Sequence, residues 1–190
     1  MSSTRLAFVT SNPHKVAEAR LVLSSYGIEI VQVPAEKIEL QSRDIARISL
    51  LAAKLAYARV RKPLIVEDSG LFIDSLRGFP GPFSSYAYET IGVEGVLKLM
   101  KGVADRRANF VSAVALLSPP IEKVFVGTVR GTIASEARGS SGFGFDPIFV
   151  PEGDTRTFAE MSIEEKCAVS HRAAALRLMA EWLKKRTSQS

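Results

Sequence analysis

The sequence predicts an α/β domain built on a mixed sheet with flanking helices. Three observations carry this: strand–helix alternation over the first third, two longer strands around a Pro-Pro turn in the middle, and helical periodicity at the end. Arg5 to Thr10 (RLAFVT) reads as a buried strand. Ser11-Asn-Pro is a turn that opens a helix, with Pro13 near its first position. Val16, Ala19, Val22, Leu23 and Tyr26 then recur at helical spacing, and Gly27 stops the helix. Ile28 to Val33 (IEIVQV) alternates as a strand. Ile45, Ile48, Ala52, Leu55 and Ala56 mark a second amphipathic helix that ends before Pro63. Leu64 to Val66 reads as a third strand, running into Glu67 and Asp68 and turning at Ser69 and Gly70.

RGFPGPFSSY reads as a loop, followed by a short helix around Val93 to Met100. Asn109 to Leu117 and Lys123 to Ile133 read as antiparallel strands about Pro119-Pro120. Glycine-rich GSSGFGFDP precedes one long closing helix with Val169, Ala173, Leu176, Ala180 and Leu183 on one face. Helical links make the first three strands parallel and the middle pair adds an antiparallel element. The middle loops divide a single domain, residues 1–190, into two lobes.

Composition narrows the class. The chain has 190 residues, 46% hydrophobic and 24% charged, enough to bury one core. The longest aliphatic run, near Val111 to Leu117, is too short to span a bilayer, and MSSTRLAFVTSN has no signal-peptide pattern. Cys167 is the only cysteine, which excludes an internal disulfide and a multi-cysteine zinc site. The expectation is a reduced, cytoplasmic protein. A net charge of +5 suits an anionic partner. The cations are dispersed, however, and the Lys184–Arg186 cluster complements a helix end, so nucleic acid is not the expected partner.

Polar clusters stand at element ends, where α/β sheets place ligands. Thr10, Ser11, Asn12, Pro13, His14 and Lys15 join the first strand to the first helix. Helix-start amides and a lysine suit phosphate; Asn12 equally suits an N-cap. Glu67 and Asp68, followed by Ser69, are adjacent carboxylates suited to Mg²⁺, which takes one or two carboxylates plus substrate phosphates. Solvated strand-end acids fit the same pattern. Glu39 is a further oxygen donor or an ordinary surface acid. Phe143, Gly144, Phe145 and Asp146 place aromatics between glycines, for stacking on a planar ligand or for the core. Lys166, His171 and Arg172 suit a base edge or the surface. Together the clusters fit a nucleoside triphosphate better than a protein partner.

TSNPHK, VEDSGLFIDSLRGFPGPFSSY, FGFDPIF, TFAEMSIEEK and SHRAAAL stand in order. With them the chain resembles the inosine triphosphate pyrophosphatase family, its archaeal branch in particular, over residues 5–185. The resemblance implies an elongated fold with two lobes around a central cleft, assembled as a homodimer. It implies Mg²⁺-dependent hydrolysis of ITP, dITP and XTP to the monophosphate and pyrophosphate. It places the triphosphate on Thr10 to Lys15 and makes Asp68 the general base or a metal-bound carboxylate. Glu39 is then a metal ligand, and Glu67 a metal or supporting group. Ser69 touches substrate, Phe143 to Asp146 line the base pocket, Lys166 contacts phosphate or base, and His171 and Arg172 read the 6-oxo edge. Two positions depart from the family pattern: Ser11 replaces a common glycine, and the second-helix lysine falls at Ala52, with Lys54 nearby. A Maf-like pyrophosphatase for pyrimidine or modified nucleotides is the nearest rival, opposed by FGFD and SHR. A non-catalytic nucleotide- or RNA-binding protein is a second rival, opposed by Glu39 and Asp68.

Overall fold

The computed structural model describes residues 4–34 and 40–187. The opening alternation is β1 (Thr4–Val9), α1 (Pro13–Ser24), β2 (Ile28–Val33), α2 (Ile45–Val60) and β3 (Leu64–Ile73). Then come β4 (Pro80–Gly81), α3 (Ser84–Thr90), α4 (Gly92–Leu99), β5 (Arg107–Ser118), β6 (Ile121–Ile133), β7 (Phe149–Pro151), α5 (Ile163–Val169) and α6 (His171–Thr187). Among the described residues the strands form one mixed sheet in the order β2-β1-β3-β5-β6-β7, with β4 paired to β3 off this path. β1 pairs in parallel with β2, Leu6 opposite Ile30, and with β3, Phe8 opposite Ile65. β3–β4 and β6–β7 are antiparallel. The Pro119–Pro120 link makes β5 and β6 a hairpin, as so short a connection requires.

Local chemistry sets the element ends. The Asp44 side chain caps α2 by accepting from the amides of Ala46 (2.9 Å) and Arg47 (3.1 Å). Ser162 and Glu165 close a reciprocal capping box on α5.

The chain forms two compact units. The first takes the chain up to Asp68, Ser112–Gly127, and the chain from Arg172 onward; the second takes Ser69–Val111 and Thr128–His171. In the first unit Val9, Leu64, Val66, Ala115 and Leu117 pack with Ala53 of α2. In the second, Leu71, Ile73, Val96, Met100, Phe110, Phe149 and Phe158 are the core.

Four expectations are corrected. β3 does not turn at Ser69-Gly70; it runs ten residues to Ile73. Gly70 is needed there because a Cβ would collide with the Gly81 carbonyl of β4, and the Leu71 amide donates to Ser84 Oγ at 2.8 Å. The FPGPFSSY stretch is not all loop: its end begins α3. The closing helix is two helices. Ser170 is extended (φ −75°, ψ 153°) and separates them, leaving Val169 exposed at the end of α5. Leu55 is exposed rather than part of the α2 core face. Among the described residues no helix is long and apolar enough to cross a membrane.

Candidate active site

The first unit carries the phosphate-type residues. Thr10 follows β1, and its amide donates to the Val33 carbonyl at 3.1 Å. Its hydroxyl accepts the Asn12 amide (3.1 Å), and its carbonyl accepts Gln32 Nε2 (3.1 Å). Asn12 Oδ1 accepts the amides of His14 (2.9 Å) and Lys15 (3.4 Å), so Asn12 is the N-cap of α1. Ser11, Pro13 and His14 are exposed. The amides of residues 12, 14 and 15 are therefore engaged within the loop, and Pro13 has none. Lys15 gives this loop its positive charge.

That lysine is tied to β3. Lys15 Nζ lies 2.9 Å from Glu67 Oε2 and donates to the Glu67 carbonyl at 3.2 Å. Glu67 is buried, and Ser112 Oγ of β5 donates to its Oε1 at 2.6 Å. Arg172 Nε at the start of α6 lies 3.2 Å from the same Oε1, and Arg172 Nη1 donates to Glu18 Oε2 of α1 at 2.7 Å. Two carboxylates and two cations thus balance inside the first unit, with Arg172 only 1% exposed. Burial pushes the Glu67 carboxyl up. The Arg172 guanidinium, the Lys15 ammonium and the Ser112 hydroxyl more than reverse this and hold it well below the usual carboxylate range. Burial lowers the Arg172 pKa, and Glu67 and Glu18 outweigh it, leaving Arg172 raised.

Asp68 is the next residue along β3. Strand alternation turns it to the face opposite Glu67, and it is half-buried. Its carboxylate, with phosphate oxygens, fits the few-carboxylate requirement of Mg²⁺. Glu39 lies outside the described residues. Among the described residues no three His, Cys, Asp or Glu side chains cluster to hold a metal.

The second unit carries the aromatic residues. Ser69 is half-buried on β3. Phe145 is buried and meets Tyr88 edge-on at 5.6 Å, so this ring joins the core. Phe143 is half-buried, with Lys166 Nζ 5.0 Å from its ring centre. Asp146 is buried, and its Oδ2 accepts both the Phe143 amide (2.8 Å) and Lys166 Nζ of α5 (2.6 Å). Gly142, at φ +75°, clears Asp146; a Cβ would collide with Oδ2. Gly144 also has positive φ. His171 is buried, its ring stacked on Phe110 at 4.6 Å and 7°. His171 and Arg172 are therefore interior groups, not surface decoration.

Thr10, Asn12, Lys15, Glu67, Asp68 and Arg172 gather in the first unit; Ser69, Phe143, Asp146, Lys166 and His171 belong to the second. Lys54 is paired instead with Glu122 of β6 at 2.6 Å. Sequence reasoning missed Glu18 and Ser112. Both left a signal: Glu18 stands four residues before Val22, on the apolar stripe of α1, and Ser112 interrupts an apolar strand.

Fold and site together define a mixed-sheet α/β protein with a lysine-bearing loop after its first strand and a carboxylate pair on its third. The chain belongs to the Ham1 family, whose sequence profile matches residues 6–182. A dITP/XTP pyrophosphatase of Saccharolobus solfataricus is 48% identical over 185 residues, covering 97% of this chain and 96% of that protein. Its namesake from Ignicoccus hospitalis is 51% identical over 185 residues, covering 96% and 98%. The solved structure of a HAM1 protein from Coxiella burnetii superposes with a TM-score of 0.84 at 30% identity, covering 96% of this chain and 99% of that one.

Proposed function

We propose that this protein hydrolyses non-standard purine nucleoside triphosphates (ITP, dITP and XTP) to the monophosphate and pyrophosphate. The carrying observation is Lys15, preset by Glu67 on the loop after β1, with Asp68 the next residue along the same strand. The names of the archaeal relatives support the substrate class. Lys15 neutralises phosphate charge, helped by Thr10, Ser11, Asn12 and His14 around the helix start. Asp68 orients water toward the α-phosphorus and takes its proton as the α–β anhydride bond breaks and pyrophosphate leaves. Bound to Asp68 and Glu39, Mg²⁺ would offset charge on the phosphates.

Phe143 offers its ring to the purine, with Gly144 giving close approach and Asp146 and Lys166 holding the loop. His171 and Arg172 read the 6-oxo group. Arg172, held by Glu18 and Glu67, carries only donors, so it matches a 6-oxo acceptor and leaves a 6-amino group facing N–H groups; His171 is held beside it by stacking on Phe110.

The protein is also proposed to be cytoplasmic, which suits the buried free thiol of Cys167, and to form a homodimer. Phe79, Phe83 and Tyr86 of the second unit, exposed at 40%, 42% and 64%, support the dimer; light scattering should give twice the chain mass.

The deciding experiment is pyrophosphate release from ITP, dITP, XTP, ATP, GTP, dUTP and TTP, with and without Mg²⁺. Preference for ITP, dITP and XTP over the 6-amino purine ATP and over the pyrimidines, lost on chelation, is expected. Preference for dUTP or TTP would overturn the reading.

A further inference from the structure

We propose that Glu67 is a positioning residue that sets Lys15 and Arg172 for the substrate and is not a metal ligand, although it adjoins Asp68. The inference rests on the pyrophosphatase reading, because it assigns Lys15 to phosphate and Arg172 to the base.

Glu67 is spent on protein partners. Oε1 takes the Ser112 hydroxyl at 2.6 Å and faces Arg172 Nε at 3.2 Å, and Oε2 faces Lys15 Nζ at 2.9 Å. A hard cation seeks negative oxygen donors. Here it would meet a carboxylate already neutralised by two cations, and it would be repelled by both. Asp68, the next residue along β3, is half-buried, and strand alternation sets it on the other face from Glu67.

The same contacts explain what Glu67 does for its partners. An ammonium has three donors and no acceptor. Lys15 donates one to the backbone carbonyl of Glu67 at 3.2 Å and sets its charge 2.9 Å from the carboxylate of the same residue. The lysine is therefore held at a fixed place against the strand, where its charge meets a phosphate. Arg172 is held in turn by Glu67 and by Glu18 from α1. One buried carboxylate, clamped by Ser112, thus sets both a phosphate-type lysine and a base-type arginine. Preorganised charge of this kind lowers the ordering cost of binding.

Glu67→Gln keeps the shape and removes the charge; Ser112→Ala removes only the clamp. The first readout is binding of inorganic tripolyphosphate by calorimetry without metal, which needs no turnover. Glu67→Gln should weaken it about tenfold and Ser112→Ala about threefold, the scale expected when one charge-assisted hydrogen bond is removed or loosened. The second readout is steady-state ITP hydrolysis across a Mg²⁺ series. In both variants KM should rise and the ITP-over-ATP preference should fall, with half-activating Mg²⁺ unchanged. If half-activating Mg²⁺ rises tenfold while tripolyphosphate binding stays at the wild-type value, Glu67 is a metal ligand and the proposal fails. It fails equally if Ser112→Ala changes neither binding nor preference, a result that can be read even where Glu67→Gln does not fold. Wild-type protein that binds tripolyphosphate but releases no pyrophosphate from any nucleotide would sink the functional reading alone.

Discussion

Asp68→Asn preserves the size and polarity of the side chain and removes its ability to accept a proton from water. Its kcat should fall by about 10²–10⁴-fold, with an unchanged melting temperature, as read by pyrophosphate release and thermal unfolding. Near wild-type turnover would place the base elsewhere. Asp146 and Lys166 pose the opposite case, a pair whose first effect is on folding. Both are buried and 2.6 Å apart. Lys166→Met strands a buried carboxylate, which costs about 3–5 kcal/mol, or roughly 10 °C in melting temperature for a chain this long. The Asp146→Asn, Lys166→Met double variant should lose less than Lys166→Met alone, since no charge is then left unpaired; a strictly additive loss would mean that the two side chains act independently. In the sequence Asp146 and Lys166 belong to separate clusters; their pairing comes from the fold. The sequence could not separate Phe143 from Phe145, because the two stand on either side of Gly144 in one glycine-rich stretch. The difference lies in what meets each ring: Tyr88 against Phe145 and Lys166 over Phe143, both distant in sequence.

At the scale of elements, β3 carries Glu67 and Asp68 in the first unit and continues as Ser69–Ile73 in the second. It runs on through Ser69-Gly70 into its pairing with β4, where Leu71 stands opposite Gly81, and Gly70 leaves room for the Gly81 carbonyl where a side chain would stand. Gly70→Ala should therefore cost about 3 kcal/mol or more, the upper range for overpacking. Gly102→Ala is the comparison: its φ of +75° is strained for alanine, but nothing lies within 4 Å, so about 1 kcal/mol is expected. Denaturant unfolding of the two variants should rank Gly70→Ala well below Gly102→Ala; equal losses would mean that β4 moves aside freely. The parallel opening, the hairpin about Pro119–Pro120 and the start of α1 were readable because each depends on neighbours in sequence. The continuation of β3 was not, since its cause is a contact with residue 81 across the sheet. The break at Ser170 was hidden for a similar reason: helical periodicity runs on through a residue whose backbone is extended. Helix α3 starts at the end of a proline- and glycine-rich stretch, where the local signal is for a turn.

For the molecule as a whole, the buried charges of the first unit connect folding to pH. Glu67 has its folded pKa depressed below its ordinary value of 4.5. Above pH 4.5 it is ionised in both folded and unfolded chains, and its contribution to stability is fully present. As pH falls below 4.5, the unfolded chain takes up a proton that the folded chain refuses, so stability is lost on the acid side. The loss from this single group approaches about 1.4 kcal/mol per pH unit. Asp105 and Asp154 are also held low, at about 2, by hydrogen bonds from Arg107 and Arg156. They lie at the surface, and changes at Glu67 leave them as they are. Glu67→Gln should therefore unfold more easily at neutral pH, because Lys15 and Arg172 lose their shared counter-charge. It should also show a shallower decline between pH 4.5 and pH 3, by up to about 1.4 kcal/mol per unit. Denaturant midpoints measured across that range in metal-free buffer test both halves. A wild-type and variant pair with parallel acid slopes would show that the carboxylate is not held ionised by its partners, and the charge balance assigned to the interior of the first unit would have to be redrawn.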